Sequence, residues 1–459
     1  MFRISAIAAL AASCGVAAAV PDVVCGTLDD VNHYGAIGGV RAYAVGTTAC
    51  NAGDVNLNWI DGTPNHPVIS CTLYKLKDGR LEQLGVTFVK HSFASLQGNA
   101  CGFGCGSGGT FSALGPGCSD PYGAGLNGGQ TGLGPRSEIN AFNGQFVYPF
   151  TTINQSGNSI FKRIQVPADE MPDSAAQFFV EGQYVIKDEI QPDGTPYIDN
   201  DPTSDWFGRP VNWNNASYER MNVQSSGAAS TTGATFRARA AIYAWQDHGN
   251  GPNNPDNSVE VVEVPVPDEG LLHVGCKVTD LGDGTYRYDY AVHNQNSDLS
   301  VGSFSVPAAG SISDYYFNDI DYHDGPDGLI SGADWAPAEG ANSITWGAEP
   351  FISNPNGNAI RWGTMYNFSF VSDAAPVDGE VTIGMWKAPG MQLTADVQVP
   401  GGISCPADLT GDGVLDFFDV SAFLNAFNAE DSIADFTGDG VFDFFDVSAF
   451  LNAYNAGCP

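Results

Sequence analysis

Residues 286–292 read YRYDYAV, and they decide the fold class because their large apolar side chains occupy every second position. Successive side chains of a β-strand point to opposite faces of the sheet, so this alternation predicts a strand with one buried face. Residues 366–370, YNFSF, repeat the pattern. With further strands predicted at Ser303–Val306, Ser343–Trp346 and Glu380–Trp386, these segments predict a β-sandwich over residues 265–400.

The part of the chain before this sandwich, residues 20–264, is predicted to be a second β-rich body that is rich in cysteine and glycine. Its strand candidates are Val40–Val45, Val68–Leu76, Leu84–Val89, Gln177–Ile186 and Thr235–Trp245. The segment Pro265–Gly270 is interpreted as a linker, because prolines at 265 and 267 do not fit a central strand. The residues of this body resemble no family that we recognise.

The first residues of the chain have the pattern of a secretory signal peptide. Met1-Phe2-Arg3 carries a positive charge, Ile4–Val16 is apolar, and Ala17–Ala19 supplies the small residues of a cleavage site. We therefore predict that residues 1–19 are a signal peptide and that the protein is secreted or displayed at the cell surface. No other stretch reaches about 18 apolar residues, so no membrane span is predicted.

The charge balance excludes one class of partner. The chain has 52 acidic and 18 basic residues, which gives a formal net charge of −34. A field of this sign repels nucleic acid and anionic membranes, and it keeps an exported protein in solution. We therefore predict no nucleic-acid partner.

Six cysteines lie close together in the N-terminal body, at Cys25, Cys50, Cys71, Cys101, Cys105 and Cys118. In an exported chain they predict up to three disulfides, and six cysteines allow fifteen connectivities. Cys276 stands alone in an apolar run, so it is predicted to be a buried free thiol in a strand.

The C-terminal residues 401–459 contain a segment that is written twice. Asp408–Ala429 reads DLTGDGVLDFFDVSAFLNAFNA, and Asp435–Ala456 differs from it at only three of its 22 positions. Each copy places Asp at loop positions 1, 5, 9 and 12, Thr at position 3 and Gly at position 6. This is the spacing of an EF-hand-like calcium loop.

The repeated loops predict two calcium sites. Four aspartates within twelve residues repel one another unless a cation lies among them, and no Lys or Arg occurs between residues 405 and 459. Calcium takes six to eight oxygen ligands, whereas magnesium demands a tighter octahedron. The predicted ligands, with the valines contributing their backbone carbonyls, are Asp408, Thr410, Asp412, Val414, Asp416 and Asp419 in the first loop, and Asp435, Thr437, Asp439, Val441, Asp443 and Asp446 in the second.

A helix is predicted after each loop. Val420, Phe423, Leu424 and Phe427 recur at helical spacing, and so do their counterparts Val447, Phe450, Leu451 and Tyr454. Two such helices can bury their apolar stripes against each other. Cys405 and Cys458 bracket the unit and can close it with a disulfide, a staple that small modules commonly need.

The duplicated pattern D-x-T-x-D-G-x-x-D-x-x-D, each copy followed by a helix and the second ending in Asn455-Ala456-Gly457-Cys458-Pro459, resembles dockerin modules. More narrowly, it is similar to the GC-type dockerin-like C-terminal domain of secreted planctomycete proteins. Dockerins bind calcium and dock onto cohesin partners. The resemblance therefore implies attachment to a cohesin-like or other envelope protein.

One departure from that family concerns loop positions 10 and 11. Cellulosomal dockerins often carry small polar recognition residues there, whereas this chain has Phe417-Phe418 and Phe444-Phe445. Two interpretations are open. The phenylalanines are either part of the core of the module or an exposed apolar docking patch.

The sequence offers two further candidate metal sites. His66, His91, Cys101, Cys105 and Cys118 have the side chains that bind copper or zinc, but an oxidising compartment tends to convert the thiols to disulfides, and a lone histidine is usually structural. Asp314, Asp319, Asp321, Asp324 and Asp327 surround His323 and can hold calcium or form a solvated turn. No nucleophile elbow, zinc-protease helix or nucleotide-binding glycine pattern occurs in a suitable context.

These observations lead to two hypotheses of function. The first is a non-enzymatic binding or structural role at the cell surface, with attachment through the calcium module. The alternative is an extracellular polysaccharide-degrading enzyme, because dockerins commonly accompany such domains. Surface tryptophans that can bind sugar in either case are predicted at Trp206, Trp213, Trp335, Trp346 and Trp362. A cleft with two facing carboxylates about 5 to 10 Å apart favours the hydrolase.

Overall fold

The structure, a computed structural model, describes residues 19–151, 155–340, 342–401, 407–410 and 415–456. The predicted signal peptide, except for its last residue, and the predicted pair Cys405–Cys458 lie outside these residues. The chain is mainly β, as predicted. Among the described residues, no helix is both long and apolar enough to cross a membrane.

The N-terminal body consists of strands and two short helices. The strands are β1 Val23–Ile37, β2 Val40–Asn51, β3 Leu57–Asn58, β4 Val68–Lys77, β5 Arg80–Val86, β6 Val89–His91, β7 Ala113–Leu114, β8 Ser119–Tyr122, β9 Leu133–Gly134, β10 Ile139–Asn140, β11 Gln145–Phe146, β12 Ile164–Pro167, β13 Gln177–Val185, β14 Ala216–Val223 and β15 Ala229–Phe236. The helices are α1 Ala124–Asn127 and α2 Ala244–His248.

Two main sheets build this body. One has the order β1-β2-β12, with β8 also paired to β2, and the other has the order β15-β14-β13-β4-β6-β9, with β5 paired to β4. Their facing side chains form one core that includes Val45, Leu73 and Val180. A Cβ atom at Gly182 would lie 2.8 Å from Leu28 Cδ2 and 2.9 Å from Thr47 Cγ2. Glycine at this position of β13 therefore lets the two sheets approach each other closely.

The prediction of up to three disulfides in the N-terminal body is met by two. Cys50 is bonded to Cys101 and Cys105 to Cys118, whereas Cys25, Cys71 and Cys276 are buried free thiols. The described cysteines of the N-terminal cluster thus form two disulfides, because Cys25 and Cys71 lie in the core between the sheets. The prediction of a buried free thiol at Cys276 is confirmed. The disulfides indicate an oxidising environment.

The second body contains ten strands in two five-stranded sheets. They are β16 Val259–Pro265, β17 Leu271–Asp280, β18 Tyr286–Asn294, β19 Val301–Pro307, β20 Ile312–Asn318, β21 Ala338–Glu339, β22 Ser343–Gly347, β23 Thr364–Ser372, β24 Pro376–Met385 and β25 Gln392–Pro400. The sheets have the orders β16-β17-β18-β23-β20 and β21-β22-β19-β24-β25. Tyr290, Phe304, Trp346 and Phe368 belong to the core that both sheets share, as expected for a sandwich.

Two details of the predicted layout differ from the structure. Strand β16 pairs with β17, with Pro265 opposite Leu271, so the segment interpreted as a linker forms the turn of a hairpin. Thr235–Trp245 is not one strand, because β15 ends at Phe236 and the chain then turns into α2. The turn buries Trp245, and the Ala241 N–H donates to Glu181 Oε2 at 2.6 Å.

The two β-rich bodies are joined by buried hydrogen bonds between β5 and β23. The Gln83 side chain donates to the Gly363 carbonyl at 3.0 Å and accepts from the Met365 N–H at 2.7 Å. Asn367 Nδ2 donates to the Leu81 carbonyl at 2.9 Å. These hydrogen bonds hold the two bodies together beside a cleft. The side chains that line the cleft are described below.

The C-terminal residues contain two helices, α3 Phe417–Asn428 and α4 Phe444–Ala456. The rings of Phe423 and Phe450 stack at a centroid distance of 4.1 Å, at the centre of a small separate core. The predicted apolar stripes are buried only in part. Leu424 is 55 % exposed and Leu451 is 45 % exposed, because the helices pack through Phe423 and Phe450 and leave these leucines on the outer side.

Candidate functional site

The predicted calcium ligands lie in the two loops that precede α3 and α4. In the first loop the Thr410 hydroxyl donates to Asp408 Oδ1 at 3.2 Å and to Asp419 Oδ1 at 2.9 Å. Oxygen atoms that bind one calcium ion at about 2.3 to 2.6 Å lie roughly 3 Å apart. Loop positions 1, 3 and 12 are therefore spaced as ligands of a shared ion.

The second loop repeats this arrangement. The Thr437 hydroxyl lies 3.5 Å from Asp435 Oδ1 and 3.0 Å from Asp446 Oδ1. The carboxylate of Asp435 also accepts hydrogen bonds from the backbone N–H groups of Gly438 and Gly440, each at 2.8 Å. The glycines at these positions have positive φ angles of 71° and 76°, which turn the loop around that carboxylate.

The aspartates at loop position 12 each accept backbone hydrogen bonds from two residues of their own loop. Asp419 accepts from the backbone N–H of Asp416 at 2.9 Å and of Thr410 at 3.0 Å, and Asp446 accepts equivalent bonds in the second loop. These N–H donors, led by that of Asp416 or of its counterpart Asp443, lower the pKa of both carboxyls. Both groups are therefore ionised at neutral pH, as calcium ligands must be.

The remaining predicted ligands divide into three groups. Asp416 and Asp443 accept from the N–H groups of Phe418 and Phe445, each at 2.7 Å, so the side chains at position 9 lie at the helix N-termini. Asp439 accepts from the N–H of Val441 at 2.8 Å. Asp412 and Val414 lie outside the described residues.

The donor set fits a hard cation, although it is not a dense carboxylate cluster. Where the structure describes the chain, no three His, Cys, Asp or Glu side chains lie together in a way that could hold a metal ion. In each loop the convergent set consists of two carboxylates and one threonine hydroxyl. Calcium accepts such mixed oxygen donors and fills its remaining positions with carbonyl oxygens and water.

The paired phenylalanines at loop positions 10 and 11 lie on the surface of the module. Phe417 and Phe444 are each 75 % exposed, Phe418 is 66 % exposed and Phe445 is 67 % exposed. Of the two interpretations left open by the sequence, the structure therefore favours an exposed apolar patch over a core position. We call these four residues the phenylalanine patch.

The predicted copper or zinc site of the N-terminal body is not assembled. Cys101, Cys105 and Cys118 are all held in disulfides. His66 Nε2 and His91 Nδ1 do meet, at 3.0 Å. Burial lowers the pKa of His66 to about 4 and that of His91 to about 2, so both rings are neutral and pack among aromatic side chains.

The acidic cluster around His323 is also not assembled as a calcium site, because its carboxylates have separate partners. Asp324 accepts from the Lys162 N–H at 2.7 Å, and Asp327 accepts from the Arg136 N–H at 2.7 Å. Asp319 bonds to the Asn358 amide, and Asp314 is exposed on β20. Asp324 and Asp327 thus attach this loop of the sandwich to the N-terminal body.

A cleft of about 540 Å³ lies between the two bodies. Glu82 and Glu170 line it from the N-terminal body, and both form ion pairs with Lys75. Asp319 lines it from the sandwich, and burial raises the pKa of this carboxyl to about 6. The Tyr316 hydroxyl donates to Glu82 Oε1 at 2.6 Å across the junction. The cleft therefore contains two glutamates that are ion-paired with Lys75. It also contains the Asp319 carboxyl, which is protonated more readily than usual.

Most of the tryptophans predicted as sugar platforms are in the core. Trp335, Trp346 and Trp362 are buried, so the prediction of surface positions is wrong for them. Trp346 lies on β22, whereas Trp335 and Trp362 lie in connecting segments that pack into the core, and the sequence does not tell which connecting segments are covered. Trp206 and Trp213 are half-buried and line a second cavity.

No pattern in the sequence identifies Glu82, Glu170 or Tyr316 as residues of a site. Glu82 and Tyr316 are 234 positions apart in the chain, and Lys75 and Glu170 are 95 apart. No short motif connects residues over such separations. The only signal of the two glutamates is their negative charge, which they share with the other 50 acidic residues of the chain.

Comparisons with known proteins add little to this description. No protein-family model and no curated protein matches the chain. Among solved structures, a complex of Amycolatopsis orientalis exo-chitosanase CsxA with PNP-beta-D-glucosamine is similar at 9 % identity, with a TM-score of 0.15, over 77 % of this chain and 25 % of that one. The crystal structure of the same exo-chitosanase gives a TM-score of 0.14 at 9 % identity, with the same coverage. This chain spans about a quarter of those structures, and likenesses of this size support no conclusion about fold or function.

Proposed function

We propose that this chain is an exported protein that is attached or assembled at the cell surface through a calcium-dependent, dockerin-like C-terminal module, and that its β-rich body is a binding or structural domain. The observation that carries the proposal is the duplicated convergence of ligand oxygens. In each loop, oxygens of two aspartates approach one threonine hydroxyl within 2.9 to 3.5 Å. Two such clusters without a neighbouring Lys or Arg are balanced most simply by two cations.

The phenylalanine patch supplies the surface that docks. Its four rings belong to the two copies of the repeat, at equivalent positions next to the two calcium loops. Because the rings follow directly on the loop ligands Asp416 and Asp443, ordering of the loops by calcium fixes the backbone that presents them. The partner is a cohesin-like or other envelope protein with an apolar surface.

The test is sedimentation of the mature chain with an envelope fraction of its source organism. We expect the protein to sediment with envelopes in calcium and to remain in solution in EGTA. The double variant Phe418→Ser/Phe445→Ser should lose at least tenfold in envelope binding while its calcium binding is retained, because the rings contact the partner and not the ion.

The matched control for that variant is Phe111→Ser, since Phe111 is 67 % exposed in the N-terminal body, as much as Phe445 is in the module. The control should sediment like the unaltered protein. Equal sedimentation in EGTA, or equal losses for the control and the double variant, would show that the body and not the module attaches the protein.

The cleft favours a second candidate function, the hydrolysis of an extracellular polysaccharide. For that function Asp319, with its raised pKa, serves as the general acid, and Glu82, which is ion-paired with Lys75, serves as the base or nucleophile. Release of reducing ends from a polysaccharide by the unaltered chain, and its loss in both Asp319→Asn and Glu82→Gln, distinguishes this candidate from a purely binding role.

A further inference from the structure

A second cavity, of about 350 Å³, lies at the junction between the two bodies. The loop Asp205–Trp213 and the segment after β15 form its walls, and His273 of β17 lines it from the sandwich. Sites for small molecules commonly have volumes of roughly 300 to 1,000 Å³ and a few convergent polar groups. This cavity meets both conditions, and none of its residues belongs to the calcium module or to the acidic cleft.

Three guanidinium groups line this cavity, in a chain with only 18 basic residues. Arg209 donates one hydrogen bond, from Nη2 to Glu263 Oε2 at 2.5 Å. Arg239 donates from Nε and Nη2 to Asp247. Among the described residues, Arg237 donates to two backbone carbonyls, those of Gly26 and Cys101. Since each guanidinium has five N–H donors, the cavity retains donors for a ligand that carries a negative charge.

Aromatic rings flank these charges. The Arg209 guanidinium lies 4.0 Å from the centre of the Trp206 ring and 5.7 Å from that of Trp213, and Arg239 lies 4.0 Å from the Tyr243 ring. In the described part of the chain, the buried Trp213 Nε1–H has no hydrogen-bond partner. An indole N–H is only a donor, so this buried group is an unsatisfied donor among the residues that line the cavity.

His273 is 2 % exposed and contributes a neutral polar edge to the cavity. Its Nδ1 lies 3.4 Å from the Nδ1 of His293 on the neighbouring strand. Burial first, and then the charges of Arg209 and Arg239, lower the pKa of His273 to about 3. The ring is therefore a hydrogen-bonding group and not a competing cation at neutral pH.

We propose that this cavity binds an anionic saccharide, in which a carboxylate or sulfate group pairs with Arg209 and the sugar ring lies against Trp206. A guanidinium matches the planar, bidentate geometry of a carboxylate, and the C–H face of a sugar ring suits the electron-rich face of an indole. Two carboxylates, Asp205 and Glu263, also line the cavity, so its three guanidinium groups exceed them by one charge, and carboxylates more than about 8 Å away are largely screened at physiological salt. The site is independent of the calcium module.

The test is calorimetric titration of the full mature chain with four probes: tetragalacturonate, a sulfated carrageenan tetrasaccharide, cellotetraose and inorganic sulfate. At least one of the two anionic oligosaccharides should bind, and at least tenfold more tightly than cellotetraose. Arg209→Ala and Trp206→Ala should each weaken that binding about tenfold or more, because each removes a direct contact.

The matched control is Arg361→Ala, since Arg361 lies 4.7 Å from the ring of Trp386 outside this cavity. It should leave binding unchanged. If the alanine variant does not fold, Arg209→Lys replaces it in the test. Lysine keeps the positive charge but lacks the bidentate N–H geometry of the guanidinium, so this variant should also weaken binding.

Three results would overturn the proposal: no binding of either anionic oligosaccharide at millimolar concentration, equal binding of cellotetraose, or unchanged binding in the Arg209 and Trp206 variants. Binding of inorganic sulfate as tight as that of both oligosaccharides, and insensitive to Trp206→Ala, would identify a site for small anions and contradict the saccharide.

Discussion

Asp22 shows how a single buried carboxyl affects the whole N-terminal body. The side chain is 6 % exposed and accepts one hydrogen bond, from Asn214 at 3.2 Å. Burial raises its pKa from 3.8 to about 7, and burial likewise raises the pKa of the neighbouring Glu189 well above its usual value. The folded chain therefore holds protons on these carboxyls that the unfolded chain releases at lower pH.

The sign of the resulting pH dependence follows from linkage. The stabilising contribution of a protonated Asp22 is complete below the unfolded pKa of about 4 and is lost as the pH rises through about 7. We predict that Asp22→Asn, which cannot ionise, reduces the loss of stability between pH 4.5 and pH 7.5. The expected change in slope is at most about 1.4 kcal/mol per pH unit.

Urea denaturation at the two pH values measures this effect, with Asp378→Asn as the control, because Asp378 is exposed on β24. An identical fall in stability for the unaltered chain and for Asp22→Asn would contradict the buried, protonated state of Asp22.

The helices of the module show how an element is stabilised here. Phe423 and Phe450 are each 1 % exposed and stack against each other, whereas Leu424 is 55 % exposed although it belongs to the same predicted stripe. We predict that Phe423→Ala costs about 3 to 5 kcal/mol, removes most calcium affinity and opens α3 and α4 to proteolysis. Leu424→Ala should change little.

Limited proteolysis followed by mass spectrometry of the fragments, together with calcium titration, compares the two variants. Equal sensitivity of Phe423→Ala and Leu424→Ala would show that the helices do not pack through the stacked phenylalanines.

Elements with a strong local pattern were predictable from the sequence. YRYDYAV and YNFSF became the paired central strands β18 and β23, because alternation specifies the strand conformation locally. The prediction of a single buried face is wrong, since the face that carries Asp289 and Asn367 is buried against the N-terminal body. Thr235–Trp245 was predicted wrongly as one strand, since its conformation depends on a hydrogen bond from Ala241 to Glu181, 60 positions away. Leu424 and Leu451 have the spacing of the predicted apolar stripes. Which side of each helix packs against the other helix, however, depends on the tertiary structure and not on that spacing.

At the scale of the whole molecule, the sites differ in how far the sequence could reveal them. The predicted calcium loops are local, so twelve consecutive residues define the pattern of each one. The acidic cleft and the arginine-lined cavity lie at the junction of the two bodies, where Gln83 meets Met365 and Glu263 meets Arg209. Contacts of this kind depend on how two sheets pack, which single-sequence patterns do not specify.

The most direct test of the account is the calcium stoichiometry of the full mature chain, measured by calorimetry in chelator-treated buffer. We predict two calcium ions per chain, one ion for Asp419→Asn or Asp446→Asn, and none for the double variant. Asp193→Asn is the matched control, because Asp193 also accepts from the N–H and hydroxyl of a threonine two positions on, without a second carboxylate in the turn. It should retain both ions. No calcium uptake by the unaltered chain, or two ions in the double variant, would contradict the central claim.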